Sequence, residues 1–389
     1  MKAAVTGWAW RTPLGSTVED AVRRLLAGER AATDRLRIDT QTYRCRLGAP
    51  VPGDPIASPL RKFLPRMALF GVEAGREACE HAGARGDERL GLFAAVGGLR
   101  VYWDDTMPAL ETQRSDGAGC WDRGLRRLHP FWLLRHLSNN GHALLSAELR
   151  ARGEGLTCAG ANAGAQALCA ALRALEAGAV DAALVVGYDS LLDPEALVEL
   201  AAAGLATEST LAELRAPYDE AAAGVVPGEA AAALLLEPAG RAGARALAFL
   251  GAAEGSDGGE STPSSEALAR VAGPLARGAA VVDGAALARP AFDAQERAQL
   301  AALAAPGARL VATAAAFGQL GAAAPLVQAI ALAACLRHGR LPPIAALGNP
   351  GAGPLAPVVA RAVETAERAA VGVTVGAPGL VGVVRVELP

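Results

Sequence analysis

The sequence predicts an α/β protein built from two similar halves. Short apolar runs alternate with longer helical patterns along the chain, and the alternation restarts after a break near Pro238–Ala244. Each half also places a near-continuous apolar helix late in its order. Alternation of this kind indicates parallel sheets covered by helices. We therefore expect an N-terminal half at residues 1–239 and a C-terminal half at residues 240–389, although the halves share little sequence identity.

Individual elements follow from apolar periodicity and from Gly and Pro punctuation. Strands are predicted at Lys2–Trp10, Leu90–Val96, a short run from Leu156, Val180–Val186, Glu229–Leu236, Ala246–Ala253, Ala279–Val282, Arg309–Ala312, Ala370–Val375 and Leu380–Leu388. Helices are predicted at Ser16–Ala27, Met67–Ala82, Phe131–Arg152, Ala163–Gly178, Pro194–Ala203, Ser264–Ala272, Ala294–Leu303 and Gly321–Leu336. Ser16 and Glu19 form a capping-box pattern for the first helix. Residues 99–130 are long for a structureless connection, so we expect them to be partly helical.

Composition excludes several classes of protein. The 389 residues are 52% hydrophobic but only 4% aromatic, which indicates an aliphatic core. A net charge of -3, from 37 basic and 40 acidic residues, leaves no electrostatic footprint for nucleic acid. Residues 321–336 are too short to span a bilayer, and residues 1–10 do not resemble a secretory signal. We expect a soluble cytoplasmic protein that binds neither nucleic acid nor membrane.

The cysteines give no sign of a metal or disulfide framework. They are scattered, without a C-x-x-C motif or metal-type histidine spacing, so neither a metal nor another cofactor is expected. The six are Cys45, Cys79, Cys120, Cys158, Cys169 and Cys335. Those at 79, 169 and 335 fall in predicted helices and are typical of small core residues.

The stretch Leu156–Leu168 predicts a strand-to-helix elbow. Gly160 and Gly164 flank Asn162, so the backbone can bend sharply there. An elbow of this kind lies near the positive end of the helix dipole, where nucleophiles and anion sites are often found. An Asn amide is a poor nucleophile, and its simplest role is to cap the helix that follows.

Four stretches in this order resemble the β-ketoacyl synthases of the thiolase fold. They are Thr6–Gly15, Arg215–Asp219 with Pro227–Ala232, Phe317–Ala324, and Leu341–Ile344 with Asn349–Pro350. The resemblance covers the whole chain and implies a thiolase-like, five-layered α-β-α-β-α double domain. The second stretch, which matches the family's R-P-F-D and G-E-G-A-G segments, is the most specific.

The resemblance also shows what this chain lacks. The family condenses acyl chains with a Cys at the elbow, two His and a Lys. The matching positions here are Asn162, Ala285, Gln319 and Ala314. An acyl-enzyme needs a thiolate, and the carbanion step needs imidazole donors, so we expect no catalytic residue among them. We expect the amides of Asn162 and Gln319 to hydrogen-bond each other as a neutral pair.

One subgroup of the family resembles this chain more closely. Chain-length factors of type II polyketide systems carry Gln at the elbow, in a context similar to Ala161–Gly164. The resemblance implies a non-catalytic subunit that pairs with an active ketosynthase and acts with acyl carrier protein in polyketide, polyene or fatty-acid-like biosynthesis. The implied interface uses residues 155–170 and 131–150.

Two alternatives remain at the level of sequence. One is a thiolase-fold acyltransferase or condensing enzyme whose chemistry has shifted to Cys158, although no neighbouring residue in sequence would lower the pKa of that thiol. The other is a homodimeric scaffold that binds carrier proteins. Four acidic residues are expected to be structural and to bond backbone N–H groups or Arg: Asp189, Asp219, Glu229 and Glu296.

Overall fold

The computed structural model describes residues 2–56, 58–98, 103–116, 124–258, 262–376 and 379–389. The N-terminal half contains β1 (Ala3–Arg11), α1 (Val18–Leu26), α2 (Arg66–Ala82), β2 (Leu90–Val96), α3 (Trp103–Asp116), α4 (Trp132–His136), α5 (Asn140–Leu149), β3 (Leu156–Ala159), α6 (Ala163–Glu176), β4 (Ala182–Ser190), α7 (Pro194–Ala202) and β5 (Glu229–Glu237). The strands and helices alternate as the sequence predicts.

The C-terminal half repeats this pattern with a longer insertion before its last two strands. Its elements are α8 (Ala239–Ala242), β6 (Ala248–Ser256), α9 (Ser265–Ala276), β7 (Val281–Asp283), α10 (Pro290–Leu303), β8 (Arg309–Val311), α11 (Thr313–Phe317), α12 (Ala324–Arg337), β9 (Arg340–Leu341), β10 (Ala356–Pro357), β11 (Val363–Glu364), β12 (Ala369–Gly376) and β13 (Leu380–Glu387).

Strand order confirms that the two halves are similar. The large sheet runs β10-β8-β7-β12-β13-β6-β1-β5-β4-β2-β3. In both halves the five main strands stand in the order third, second, fourth, fifth, first. In both, the first three of these are parallel and the last two alternate in direction. The halves join where β1 pairs antiparallel with β6, through residues 3–5 and 248–250.

The helices complete five layers. On the outside of the N-terminal half, α2 packs on β1, β4 and β5, and α5 packs beside it. In the centre, α6 contacts β2 and β4 of one half and β6 and β13 of the other, while α12 contacts β4, β5, β12 and β13. On the far side, α9 covers β6 and β13, with α10 against it. The division at residues 239 and 240 falls within α8 and stays a prediction.

The cap of the first helix lies one residue later than predicted. The first helix is capped by Thr17, whose hydroxyl accepts the Asp20 N–H at 3.3 Å, so the capping box at Ser16 and Glu19 was wrong by one residue. Thr17 is the residue with the extended backbone that a cap needs.

The helix predicted at Phe131–Arg152 is two helices. Leu137 turns into the extended region and ends α4, and Asn140 then donates from its amide to the carbonyl of Leu134. Residues 99–130 contain α3 and a 3-10 turn at Gly124–Arg127, so they are partly helical as predicted.

Candidate active-site elbow

The elbow forms where the sequence predicts it. Asn162 lies between β3 and α6, is only 4% exposed, and has a backbone ψ of 9°. Gly160 before it takes a left-handed φ of 113°, a conformation that glycine adopts without a steric penalty. A Cβ at Gly164 would collide with the Ala322 carbonyl, so this glycine lets α6 pack directly against the turn before α12.

The side chain of Asn162 does not cap the helix. Its Nδ2 donates to the carbonyl of Val381 on β13 at 3.2 Å, and it makes no capping hydrogen bond. A capping side chain usually springs from an extended backbone, and the ψ of 9° departs from that geometry. The amide therefore ties the elbow of the N-terminal half to the last strand of the C-terminal half.

Gln319 also donates to a backbone carbonyl rather than to Asn162. Its Nε2 lies 3.0 Å from the oxygen of Ala285. The predicted hydrogen bond between the two amides is therefore wrong, because each amide donates to a main-chain carbonyl instead.

Three of the four positions that the resemblance assigns to catalysis share one cavity. Ala285, Ala314 and Gln319 line a space of about 20 Å³, which has room for a water molecule. Thr374 also lines this space. A Cβ at Gly382 would lie 2.7 Å from Thr374 Oγ1 and 2.8 Å from Asn162 Oδ1, so Asn162 lies just beyond this wall.

Thr374, Val381 and Gly382 are site residues that sequence reasoning missed. Thr374 and Gly382 are cross-strand partners in the β12–β13 pair. A glycine inside an otherwise apolar strand often marks a close approach by another group. Gly382 was therefore the available signal that a side chain from another element reaches this strand.

Buried carboxylates hold the cavity wall in place. Oε1 of Glu296 accepts the N–H of Ala285 at 2.7 Å, and Oε2 accepts the hydroxyl of Tyr218 at 2.6 Å. Burial raises the pKa of Glu296 to about 7 and that of Asp293 to about 6. Asp283, bonded to the Thr313 N–H and hydroxyl, has its pKa raised by burial to about 6 as well.

The structure confirms that the four acidic residues bond backbone groups. Glu296 accepts the N–H of Ala285. Asp189 accepts the N–H groups of Ser190 and Ala322 at 2.8 and 3.0 Å. Asp219 accepts the N–H of Asn349 at 2.9 Å. Glu229 accepts the N–H of Val51 at 2.9 Å and a guanidinium N–H of Arg66 at 2.6 Å.

Cys158 lies half-buried on β3 and is not activated. Burial raises the pKa of its thiol, the charge of Glu254 raises it further, and Arg173 opposes both. A thiol with a raised pKa is a poor nucleophile at neutral pH. Cys79, Cys169 and Cys335 are buried as predicted, and Cys120 lies outside the described residues.

The described residues offer neither a membrane-spanning helix nor a cluster of metal ligands. None of the described helices is both long and apolar enough to cross a membrane. Within the same residues, no group of three or more His, Cys, Asp or Glu side chains is placed to hold a metal ion.

Among the described strands, β3 pairs only with β2 and ends the large sheet. Leu156 on β3 is 38% exposed. Further exposed apolar residues lie on or beside α4: Phe131, Leu133, Leu134 and Leu137. At the equivalent place in the C-terminal half, β10 pairs with β8 and covers the edge.

Comparison with known proteins places the chain in a family. A family model described as "Beta-ketoacyl synthase, N-terminal domain" matches residues 2–242. A 3-oxoacyl-[acyl-carrier-protein] synthase 2 of Vibrio cholerae is 27% identical over 402 residues, which cover 95% of this chain and 94% of that protein. The protein of the same name from Synechocystis is 26% identical over 263 residues, or 64% of this chain and 61% of that relative.

Solved structures agree on the fold. "The ishigamide ketosynthase/chain length factor" superposes with a TM-score of 0.86 at 23% identity, over 100% of this chain and 99% of that one. A β-ketoacyl synthase from Burkholderia phymatum superposes with a TM-score of 0.84 at 21% identity, with the same coverage. The protein therefore has the thiolase fold of the ketosynthases. With the family model matching more than half of its length, the chain belongs to the β-ketoacyl synthase family.

Proposed function

We propose that this chain is a non-catalytic ketosynthase-like subunit of the chain-length-factor type. It forms a heterodimer with an active β-ketoacyl synthase and shapes the acyl tunnel of that partner. The complex works in the cytoplasm with acyl carrier protein, in polyketide, polyene or fatty-acid-like biosynthesis. The structural similarity to the ishigamide ketosynthase/chain length factor supports such a pairing.

The observation that carries this proposal is the chemistry of the elbow. The positions of the family's catalytic Cys, Lys and two His hold Asn162, Ala314, Ala285 and Gln319. None of these side chains titrates near neutral pH, and both amides donate to main-chain carbonyls. Without a thiolate or imidazole, neither acyl transfer to this chain nor carbanion stabilisation has a group to perform it.

The open edge of the sheet supports the assembly. An unpaired edge strand with exposed apolar side chains is normally covered, because it would otherwise template aggregation. β3 has no neighbour on its outer side among the described strands, and its residue Leu156 is 38% exposed. In this proposal, a partner of the same fold covers this edge.

A condensing enzyme that uses Cys158 is the second candidate. The curated relatives are named as 3-oxoacyl-[acyl-carrier-protein] synthases, which favours an enzyme. The raised pKa of the Cys158 thiol opposes it. The third candidate, a homodimeric scaffold for carrier proteins, uses the same open edge for a second copy of this chain.

Native mass spectrometry distinguishes the three candidate functions. This chain is co-expressed with an intact ketosynthase from the same gene neighbourhood. The complex is exposed to an acyl carrier thioester before measurement. A one-to-one heterodimer acylated on the partner alone is the expected result. An adduct on this chain that is lost in Cys158→Ala would establish the enzyme, and a homodimer that ignores the ketosynthase would establish the scaffold.

A further inference from the structure

Two arginines line an otherwise uncharged cleft beside the cavity that Ala285 lines. The cleft measures about 30 Å³ and shares Ala314 and Gln319 with that cavity. Arg30 and Arg215 carry the only charges among the described residues that line it. Its other walls are mostly apolar, from residues that include Leu214, Val225, Ala286, Ala288 and Ala345. The cleft therefore combines an apolar interior with a net positive charge.

Arg30 is half-buried and has no carboxylate partner among the described residues. Its Nη1 and Nη2 donate to the carbonyls of Leu214 and Leu211 at 3.3 and 3.2 Å. The neighbouring Ala31 N–H donates to the carbonyl of Ala316 at 2.9 Å, which fixes the backbone at this point. A guanidinium carries more N–H donors than these two bonds use, and a half-buried cation without a counter-ion favours an anion beside it.

Arg215 adds positive charge on the solvent side of the cleft. It is exposed, and its charge also acts on Glu213, which does not line the cleft. The pKa of Glu213 is lowered mainly by the Thr210 hydroxyl, which donates to its carboxylate at 2.8 Å, and less by Arg215. Because Glu213 is exposed as well, water screens its attraction to Arg215 and leaves that guanidinium available to a ligand.

Two alanines give the cleft a methyl-lined wall at a cost in backbone strain. Ala286 and Ala288 take left-handed φ angles of 55° and 51°, where glycine is the residue without a steric penalty. Both are buried, and both line the cleft. Strained backbone of this kind is concentrated at functional sites. Alanine at these positions supplies apolar surface to the cleft that glycine would not provide.

We propose that this cleft binds a short-chain carboxylate from solution. The carboxylate pairs with Arg30 and Arg215, and its hydrocarbon chain packs against the methyl groups of the wall. A space of about 30 Å³ holds about two water molecules, which corresponds to a chain of about two or three carbons. Inorganic phosphate has no apolar part, so it suits the arginines but not the interior.

The cleft lies within one chain and shares no residue with β3. The site therefore stands or fails independently of heterodimer assembly, and it is tested on the full chain alone.

The first test compares ligands on the native chain. Saturation-transfer NMR and calorimetry measure the Kd of acetate, propionate, butyrate and hexanoate, with butyramide as the uncharged match of butyrate. Each buried methylene is expected to tighten binding by up to about fourfold, and the gain should stop near butyrate. Butyramide should bind about tenfold or more weakly than butyrate. The proposal is overturned if the two bind alike, or if inorganic phosphate binds as tightly as butyrate.

The second test removes the two charges in turn. Arg30→Gln is expected to weaken butyrate binding by about tenfold or more, because a half-buried charged hydrogen bond is lost. Arg215→Gln should weaken it by up to about fivefold, since water screens this charge. Arg309→Gln is the matched control, because Arg309 is exposed and does not line the cleft. Native affinity in folded Arg30→Gln would overturn the proposal.

A third test keeps both arginines and alters the wall, so it applies even if Arg30→Gln does not fold. Ala288→Gly relieves backbone strain and removes one methyl group, so the chain should become more stable while butyrate binds about two- to fourfold more weakly. Ala360→Gly is the control, because Ala360 has a similar φ of 61° but is exposed and lies outside the cleft. Equal affinity of the two variants for butyrate would show that the wall does not contact the ligand and would overturn the proposal.

Discussion

The two halves of this protein share one strand order but treat the outer edge of their sheets differently. In the C-terminal half, the insertion between α12 and β12 supplies β10, which pairs with β8. In the N-terminal half, β3 ends the sheet as far as the described residues show, and its residue Leu156 is exposed. A strand that pairs on both sides has its backbone hydrogen-bonding groups satisfied, whereas an unpaired edge strand with exposed apolar residues is normally covered by another element or another chain. This difference is the reason for proposing the β3 edge as the surface that the heterodimer covers.

The halves also differ in how they satisfy buried acids. Glu229 in the N-terminal half meets the Arg66 guanidinium as well as a backbone N–H. Glu296 in the C-terminal half bonds two backbone N–H groups and the Tyr218 hydroxyl. A buried carboxylate without a nearby cation in its hydrogen-bond set has its charged form disfavoured, and the pKa of Glu296 is raised accordingly to about 7.

The largest expected effect comes from charging the open edge. Leu156→Asp is expected to weaken assembly with the partner by about 30-fold to 150-fold, the cost of losing a central apolar contact in an interface. Val359→Asp is the matched control, because Val359 is 41% exposed but lies in the C-terminal half. Sedimentation of the co-expressed complex measures both, and equal weakening by the two variants would contradict the assignment of the edge.

The next effect concerns Glu296 and the pH dependence of the free energy of unfolding. The pKa of Glu296 is about 7 in the folded chain against an ordinary value of 4.5, so the folded state binds this proton more tightly. Its contribution to stability is fully present below about pH 4.5 and is lost as the pH rises through 7. Glu296→Gln is expected to flatten this dependence by about 1 to 3 kcal/mol between pH 5 and pH 8.

Urea unfolding at several pH values measures the free energy of unfolding of both proteins. The native chain should lose more stability than the variant as the pH rises from 5 to 8. Parallel curves for the two proteins would show that Glu296 stays charged in the folded state over this whole range.

A smaller effect is expected at the glycine that joins the two halves at the elbow. A Cβ at position 382 would lie 2.7 Å from the Cβ of Ala165 and 2.8 Å from Asn162 Oδ1. Gly382→Ala is therefore expected to cost about 1 to 3 kcal/mol in the free energy of unfolding, through overpacking. Gly240→Ala is the control, because nothing lies within 4 Å of its added Cβ. Thermal and urea unfolding that ranked the two alike would refute this contact.

The smallest effect is expected at the elbow itself. Asn162→Ala removes one hydrogen bond to Val381, which is worth about 0.5 to 1.5 kcal/mol of stability. The condensing activity of the heterodimer should stay within about twofold of the native value, because a silent elbow makes no transition-state contact. A steady-state assay of the complex checks this, and a loss of activity of about a hundredfold or more would make Asn162 catalytic.

Sequence patterns predicted most helices and strands, but not the hydrogen bonds between residues distant in sequence. The elbow, the apolar central helices and the buried cysteines follow from periodicity and small-residue patterns, which act within a few residues. Asn162 was predicted to cap α6, but its side chain makes no capping hydrogen bond and its Nδ2 donates instead to Val381, 219 residues away in sequence. The predicted pairing of Asn162 with Gln319 was wrong because Ala285 offers Gln319 a main-chain acceptor that the sequence does not reveal.

The sequence by itself determined the α/β class, the repeated pattern of elements and the loss of every titrating group at the positions matched to catalysis. These follow from residue type and from order along the chain, which are local properties. Tertiary structure alone decided which described strand ends the sheet, how large the cavity beside Gln319 is, and which carbonyl each of the two amides donates to. Those outcomes depend on which distant strands become neighbours, because a hydrogen bond or a cavity wall requires groups within a few ångströms in space rather than in sequence.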